Sequence, residues 1–227
     1  MQRTAVVAGA TGLVGNELVK LLLWNKSYRK VIVLVRKRMN LTHPRLEQLV
    51  LDFDRLCELP PGLLGGADVY CTLGTTRKKA GSKERFEHVD YDYPIMLGKV
   101  AKRDGANRML IITAMGANEK SLFFYSRVKG KVESDLQAMC PSKLHIFRPS
   151  LIIGERRERR FGEAVAARLA KSCAFLFMGG LRKYKPIAAK RIAQAMIAAA
   201  LYEEGAPKIL SSPDIASWGA ILQKSSS

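Results

Sequence analysis

Residues Thr4–Gly15, T-A-V-V-A-G-A-T-G-L-V-G, constrain this chain more than any other stretch. The apolar run Ala5–Ala8 stops at Gly9. Gly12 and Gly15 follow at three-residue steps, and Leu13, Val14, Leu18, Leu21 and Leu22 continue at helical spacing. The pattern reads as a buried strand, a tight turn and an amphipathic helix. One glycine lets the chain reverse, one lets backbone amides approach a pyrophosphate, and one lets the helix pack close to its strand. The helix start offers unpaired N–H groups and partial positive charge to phosphates. The expected cradle is therefore Gly9, Ala10, Thr11, Gly12, Leu13, Val14 and Gly15, and its expected ligand is a dinucleotide.

The rest of the chain repeats the alternation. Strands are expected at Val31–Val35, Leu46–Leu51, Asp68–Leu73, Arg108–Thr113 and Lys143–Phe147, with a short last strand at Lys208–Leu210. Asn25–Lys30 reads as a polar turn and Gly74–Ser82 as a basic loop. Helical patterns cover Lys83 to about Arg103, bent or interrupted at Pro94, and then about Leu122–Met139, Phe161–Lys171 and Ala188–Leu201; Ser225–Ser227 reads as a frayed tail. This implies an α/β fold, a Rossmann-type doubly wound parallel sheet with helices on both faces. Ligands then bind beyond the carboxyl ends of the strands, where strand order reverses. With 227 residues, a single domain spanning 1–227 is expected, with 154–205 contributing a small substrate-side lobe.

Four cysteines (Cys57, Cys71, Cys140, Cys173) lack C-x-x-C spacing and read as reduced thiols. No apolar stretch reaches membrane-spanning length, and the chain enters its first strand with no room for a signal peptide. Together these lead to an expectation of a cytoplasmic protein. The formal charge of +18, from 38 Lys and Arg against 20 acidic residues, is clustered at Arg36–Arg38, Arg77–Lys79, Arg156–Arg160 and Arg182–Lys185. Such a field suits nucleic acid or an anionic surface. The preferred reading is an excess that maintains solubility, because no aromatic interleaving, zinc-finger or basic-zipper pattern accompanies it. A homodimer is compatible with the fold, but no stretch argues for one.

Several residues carry chemistry. Arg36, with Lys37 and Arg38 behind it, stands where an acid would grip the adenosine ribose in an NAD enzyme. Arg36 and Arg38 instead suit a 2′-phosphate, and NADP(H) is the expected cofactor. Asp52 and Phe53 end the third strand, where a carboxylate and a ring could meet the adenine edge and face. Asp52-x-Asp54 lacks a third ligand, and no metal is expected. Tyr125 and Lys129, four apart on a helix, share a face. A cation beside a phenol favours the phenolate and moves its pKa towards neutrality, so Tyr125 is the expected general acid/base. Thr113, at the end of the fifth strand, is expected to present its hydroxyl to the same substrate oxygen. His43, His88 and His145 share no ligand spacing, and the absence of G-x-S-x-G leaves hydrolase chemistry without support.

These residues resemble the short-chain dehydrogenase/reductase superfamily: Gly9, Gly12 and Gly15 as its glycine turn, Thr113, Tyr125 and Lys129 as its Ser/Thr…Y-x-x-x-K set, and Phe147–Gly154 (F-R-P-S-L-I-I-G) as its strand-six motif. Cys71–Ser82, Phe86–Tyr93 and Tyr125–Glu133 are similar to the Tat-interacting-protein family of atypical members and its bacterial relatives. The resemblance implies an NADP(H)-binding Rossmann fold with a cradle of Gly9–Gly15, Arg36, Asp52, Phe53, Leu73, Gly74 and Thr75. It implies Lys129 on the nicotinamide ribose and Arg148 bordering nicotinamide and substrate. Thr113 replaces the common Ser, and Asp90 stands where many members carry Asn. The expected activity is hydride transfer to or from a small carbonyl or alcohol substrate. Two alternatives stand beside it: an NADPH-binding redox sensor that engages a protein or nucleic-acid partner, and a nucleotide-sugar epimerase or dehydratase, which the short C-terminal region and the Arg36–Arg38 trio disfavour.

Overall fold

A computed structural model describes residues 3–139, 144–154, 184–202 and 208–224. Seven strands form one sheet: β1 (Arg3–Ala8), β2 (Tyr28–Val35), β3 (Leu46–Val50), β4 (Asp68–Cys71), β5 (Arg108–Ile112), β6 (Leu144–Arg148) and β9 (Ile209–Ser211). Their order is β3-β2-β1-β4-β5-β6-β9, and every pairing is parallel. A two-stranded ribbon, β7 (Ile152–Ile153) with β8 (Ile187–Ala188), lies apart. The order reverses between β1 and β4, so the glycine turn after β1 opens at the switch point.

Strand alternation splits the core into two layers. Val7, Val31, Val33, Leu110 and Phe147 face helices α1 (Leu13–Trp24), α6 (Ala189–Leu201) and α7 (Ser212–Lys224). Val6, Ile32, Leu34, Val69 and Ile111 face a 3-10 helix (Phe53–Glu58), α4 (Tyr93–Arg103) and α5 (Phe124–Met139). Helix α6 is alanine-rich and buried nearly all round, as a helix sandwiched between α1 and α7 must be. Of the stretch expected to form a lobe, this helix belongs to the main core. The expected helix Phe161–Lys171, the cluster Arg156–Arg160, Cys140 and Cys173 lie outside the described residues.

Other boundaries moved for local reasons. β2 begins at Tyr28, inside the expected turn, because Tyr28 is buried and its hydroxyl donates to Asp68 Oδ2 at 2.8 Å. The expected basic loop contains α2 (Arg77–Ala80), capped by Thr76, and Ser82 caps α3 (Lys83–Glu87). The stretch 83–103 is interrupted by a π-turn at His88–Asp92 rather than at Pro94. Pro94 sits in the first turn of α4, where its missing N–H removes no helical bond. Helix α7 lies beyond the expected elements, and Asp214 accepts from the N–H and hydroxyl of Ser211 at its start.

At the amino-terminal end of the sheet, Asp68 is fully buried. It accepts from Arg3 Nη1 (3.2 Å), Tyr28 (2.8 Å) and Asn107 Nδ2 (2.7 Å), and Arg108 Nε pairs with it at 3.1 Å. Tyr28 and Tyr70 hydroxyls meet at 2.7 Å, and burial pushes both phenols far above their ordinary pKa.

Candidate active site

At the opposite end of the sheet, the glycine turn is packed to contact. Gly9 has φ of +90°, and a Cβ there would fall 2.6 Å from the Thr72 carbonyl carbon. A Cβ on Gly15 would fall 2.1 Å from the Gly9 oxygen. Only glycine lets α1 start this close to β1 and β4. Gly12 caps α1 without a side-chain bond, and Asn16 is the first residue to close a helical hydrogen bond there, to the Gly12 oxygen. The amides of Leu13, Val14 and Gly15 therefore face out of the helix end, beyond the strand termini. This cradle fits an anionic diphosphate. Arg36, Lys37 and Arg38 follow β2 directly and are exposed, and Arg36 is near enough to oppose the rise of the Tyr93 pKa.

Phe53 departs from expectation. It is buried, with its ring edge-on to Tyr93 at 5.6 Å, so it has no face to offer adenine. Asp52 stays exposed and accepts the Asp54 N–H. Asp54 binds His88 Nε2 at 2.6 Å and the Tyr93 hydroxyl at 2.9 Å, while Asp92 holds His88 Nδ1 at 2.8 Å. These contacts tie the 3-10 helix to the π-turn and raise the His88 pKa. Among the described residues no cluster of His, Cys, Asp or Glu is arranged to hold a metal ion.

Tyr125, Lys129 and Glu133 recur every four residues along α5 and share one face. The Tyr125 ring rests against Phe86, with centroids 5.7 Å apart, and keeps 40% of its surface open. Among the described residues nothing hydrogen-bonds its hydroxyl. Lys129 is buried, its Nζ 2.7 Å from Oδ1 of buried Asp90. The contact is charge to charge rather than a well-aligned hydrogen bond. Asp90 Oδ2 accepts the Thr75 N–H at 2.8 Å, and a Cβ on Gly74 would sit 3.4 Å from Oδ1. The Leu73–Thr75 loop, the π-turn and α5 thus meet at one ion pair. Gly130 lets the chain cross α5 beside it: a Cβ there would fall 2.1 Å from the Glu119 nitrogen.

The expected depression of the Tyr125 pKa does not occur. Burial raises it, Lys129 opposes that rise, and Asp90 adds to it. The hydroxyl of Thr113 is bonded within the core, where it donates to Glu133 Oε1 at 2.5 Å. Glu133 lies eight residues beyond Tyr125, about 12 Å further along the helix axis. Arg148 is turned inward as well: its Nε lies 3.1 and 3.0 Å from the Glu133 oxygens, and its Nη2 also binds Oε2. A buried carboxylate needs charged and hydrogen-bonding partners, and Glu133 draws both residues to itself. The i, i+4, i+8 spacing was the available signal for Glu133. The pairing of Asp90 with Lys129 had no local signal.

The sheet order, the glycine cradle and the Tyr–Lys face define a Rossmann-fold protein of the short-chain dehydrogenase type. Solved structures agree on the fold. UDP-glucuronic acid 4-epimerase from Bacillus cereus, in complex with UDP-glucuronic acid and NAD, matches with a TM-score of 0.66 at 17% identity, over 98% of this chain and 83% of that one. MoeE5 in complex with UDP-glucose and NAD matches at 0.65 and 15%, over 97% and 82%.

The chain belongs to the HIM1 family, whose pattern it matches over residues 53–176. Rat protein HTATIP2 is 34% identical over 170 residues, 73% of this chain and 70% of that protein. Protein FMP52, mitochondrial, of Eremothecium gossypii is 34% identical over 203 residues, 88% and 89% of the two chains. The Candida albicans FMP52 is 31% identical over 196 residues, 84% and 85%. The fungal relatives are named as mitochondrial proteins, which overturns the cytoplasmic placement read from the sequence. No helix among the described residues is long and apolar enough to cross a membrane.

Proposed function

We propose that the protein is an NADP(H)-dependent oxidoreductase in which Tyr125 exchanges a proton with the oxygen of a small carbonyl or alcohol substrate. The observation that carries this reading is the half-open Tyr125 side chain, its hydroxyl unbonded among the described residues, beside buried Lys129 at the end of the sheet where the glycine cradle opens. The amides of Leu13–Gly15 would hold the diphosphate, and Arg36 with Arg38 a 2′-phosphate. The two structural neighbours are both complexes with NAD, which supports a nicotinamide dinucleotide. When bound, that group supplies or accepts hydride at the substrate carbon. In reduction, the Tyr125 O–H bond breaks, its proton goes to the carbonyl oxygen, and water reprotonates the phenolate. Thr113 and Arg148, committed to Glu133, take no part.

Calorimetric titration with NADPH and NADH tests the cofactor half. Tight NADPH with weak NADH is expected, and equal affinity removes the role of Arg36. A carbonyl screen with Tyr125→Phe tests the chemistry, with a loss of about 10²–10⁴ in turnover at unchanged NADPH affinity expected. The commitment of Thr113 favours a second reading, an NADPH-binding sensor without turnover. Under that reading NADPH binds, but neither the wild type nor Tyr125→Phe oxidises it against any carbonyl.

A further inference from the structure

Lys129 is not a free cation beside Tyr125. Its ammonium is 2.7 Å from a carboxylate that is itself 1% exposed, in a wall built from three elements. Asp90 comes from the π-turn, Lys129 from α5, and the Thr75 amide that orients Asp90 from the loop after β4. Seen from the phenol, the pair is a dipole rather than a unit positive charge, and its field falls off faster than that of lysine alone. Among the described residues, the groups facing Tyr125 are then Lys129 on its own helix, Asp90 on the π-turn and the apolar ring of Phe86. Asp90 offsets part of the pull that Lys129 exerts on the phenol proton.

We propose that Asp90 is a positioning residue that neutralises Lys129 and so keeps the Tyr125 hydroxyl protonated, setting the site as a proton donor, the reductive direction, rather than a proton acceptor. This rests on the reading of Tyr125 as the acid/base. The direction of its pKa agrees: burial raises it, and Asp90 raises it further against Lys129. A resting phenol fits a substrate that arrives as a carbonyl and needs a proton on oxygen. An alcohol would need a phenolate to receive its proton. The substrate class this predicts is an aldehyde or ketone, consumed at the expense of the reduced dinucleotide.

The test reads ionisation directly in the protein without ligand. Tyrosine labelled with ¹³C at Cζ is followed by NMR across alkaline pH, with the Tyr125 signal assigned by its loss in Tyr125→Phe. In the wild type, Tyr125 is expected to titrate above the ~10 of free tyrosine. Half-ionisation below that value overturns the proposal. Asp90→Asn keeps an acceptor for the Thr75 amide but removes the charge. It is expected to lower the Tyr125 midpoint by about one pH unit or more. An unmoved midpoint in a folded variant assigns Asp90 to packing alone and overturns the proposal. If Asp90→Asn does not fold, the wild-type midpoint decides. Failure of the underlying reading is separate: unchanged turnover in Tyr125→Phe removes the acid/base role whatever the spectra show. Loss of turnover there with an unmoved midpoint in Asp90→Asn removes only the role of Asp90.

Discussion

Asp68 and Asp90 are both buried carboxylates at ends of the same parallel sheet, and they are built differently. Asp68, at the amino end, is surrounded by Arg3, Arg108, Tyr28 and Asn107. Asp90, beyond the carboxyl end, has a lysine and one backbone amide. The first has partners on every side, and its neighbouring phenols are sealed in the core. The second stands beside a phenol with two-fifths of its surface open. A carboxylate enclosed by donors fixes geometry. A carboxylate with one cation beside an open hydroxyl sets where a proton resides.

The comparison breaks most visibly in stability. Asp68→Asn leaves two guanidinium groups without their counter-charge and is expected to cost about 3–5 kcal/mol in urea unfolding. Asp90→Asn strands one buried cation rather than two guanidinium groups, and its amide still accepts from Thr75, so it is expected to cost about 2–3 kcal/mol. Equal costs would make Asp90 a second structural anchor.

Thr113→Val sharpens the contrast on the active-site side. Glu133 keeps Arg148, so a loss of about 1 kcal/mol is expected from the missing hydroxyl donor. Turnover should stay within about twofold of wild type, since the hydroxyl is committed to Glu133. A hundredfold fall in kcat at unchanged Tm would return Thr113 to the chemistry.

The smallest effect belongs to an exposed counterpart, His88 between Asp54 and Asp92. Its carboxylate partners raise the His88 pKa above the ordinary 6.5. The stability it adds is therefore full below that value and disappears as pH rises through the folded-state pKa. His88→Gln is expected to lower Tm by about 1–2 °C at pH 5.5, because exposed pairs contribute little. At pH 9 the difference should vanish, and a loss that persists there would mark a packing role instead.

The parts of the molecule legible in the sequence are those whose cause is local. The run Thr4–Gly15 determines strand, turn and helix by itself, because alternating burial and the need for glycine both act over a few residues. Tyr125 and Lys129 were legible for the same reason, as helical spacing places them on one face. The contacts of Thr113, Arg148 and Phe53 were not legible, because the direction of a side chain at a strand end or a helix start depends on what stands opposite. For Thr113 and Arg148 that is Glu133, distant in sequence from both. For Phe53 it is Tyr93. Asp90 was visible as a departure from the common Asn, but its effect on Tyr125 became readable only with Lys129 placed against it.

The π-turn at His88–Asp92 has a consequence for how this chain tolerates shortening. Such a turn holds one residue more than a regular helix needs. Deleting that residue would leave an uninterrupted α-helix from 83 to 103, with more regular backbone bonding. It would also rotate the two halves relative to each other by about 100° and draw them ~1.5 Å closer. Asp90 would swing off Lys129 and Thr75, while His88 would lose its place between Asp54 and Asp92. In a scan of single-residue deletions, this is the point where a sturdier helix and a working proton donor become alternatives.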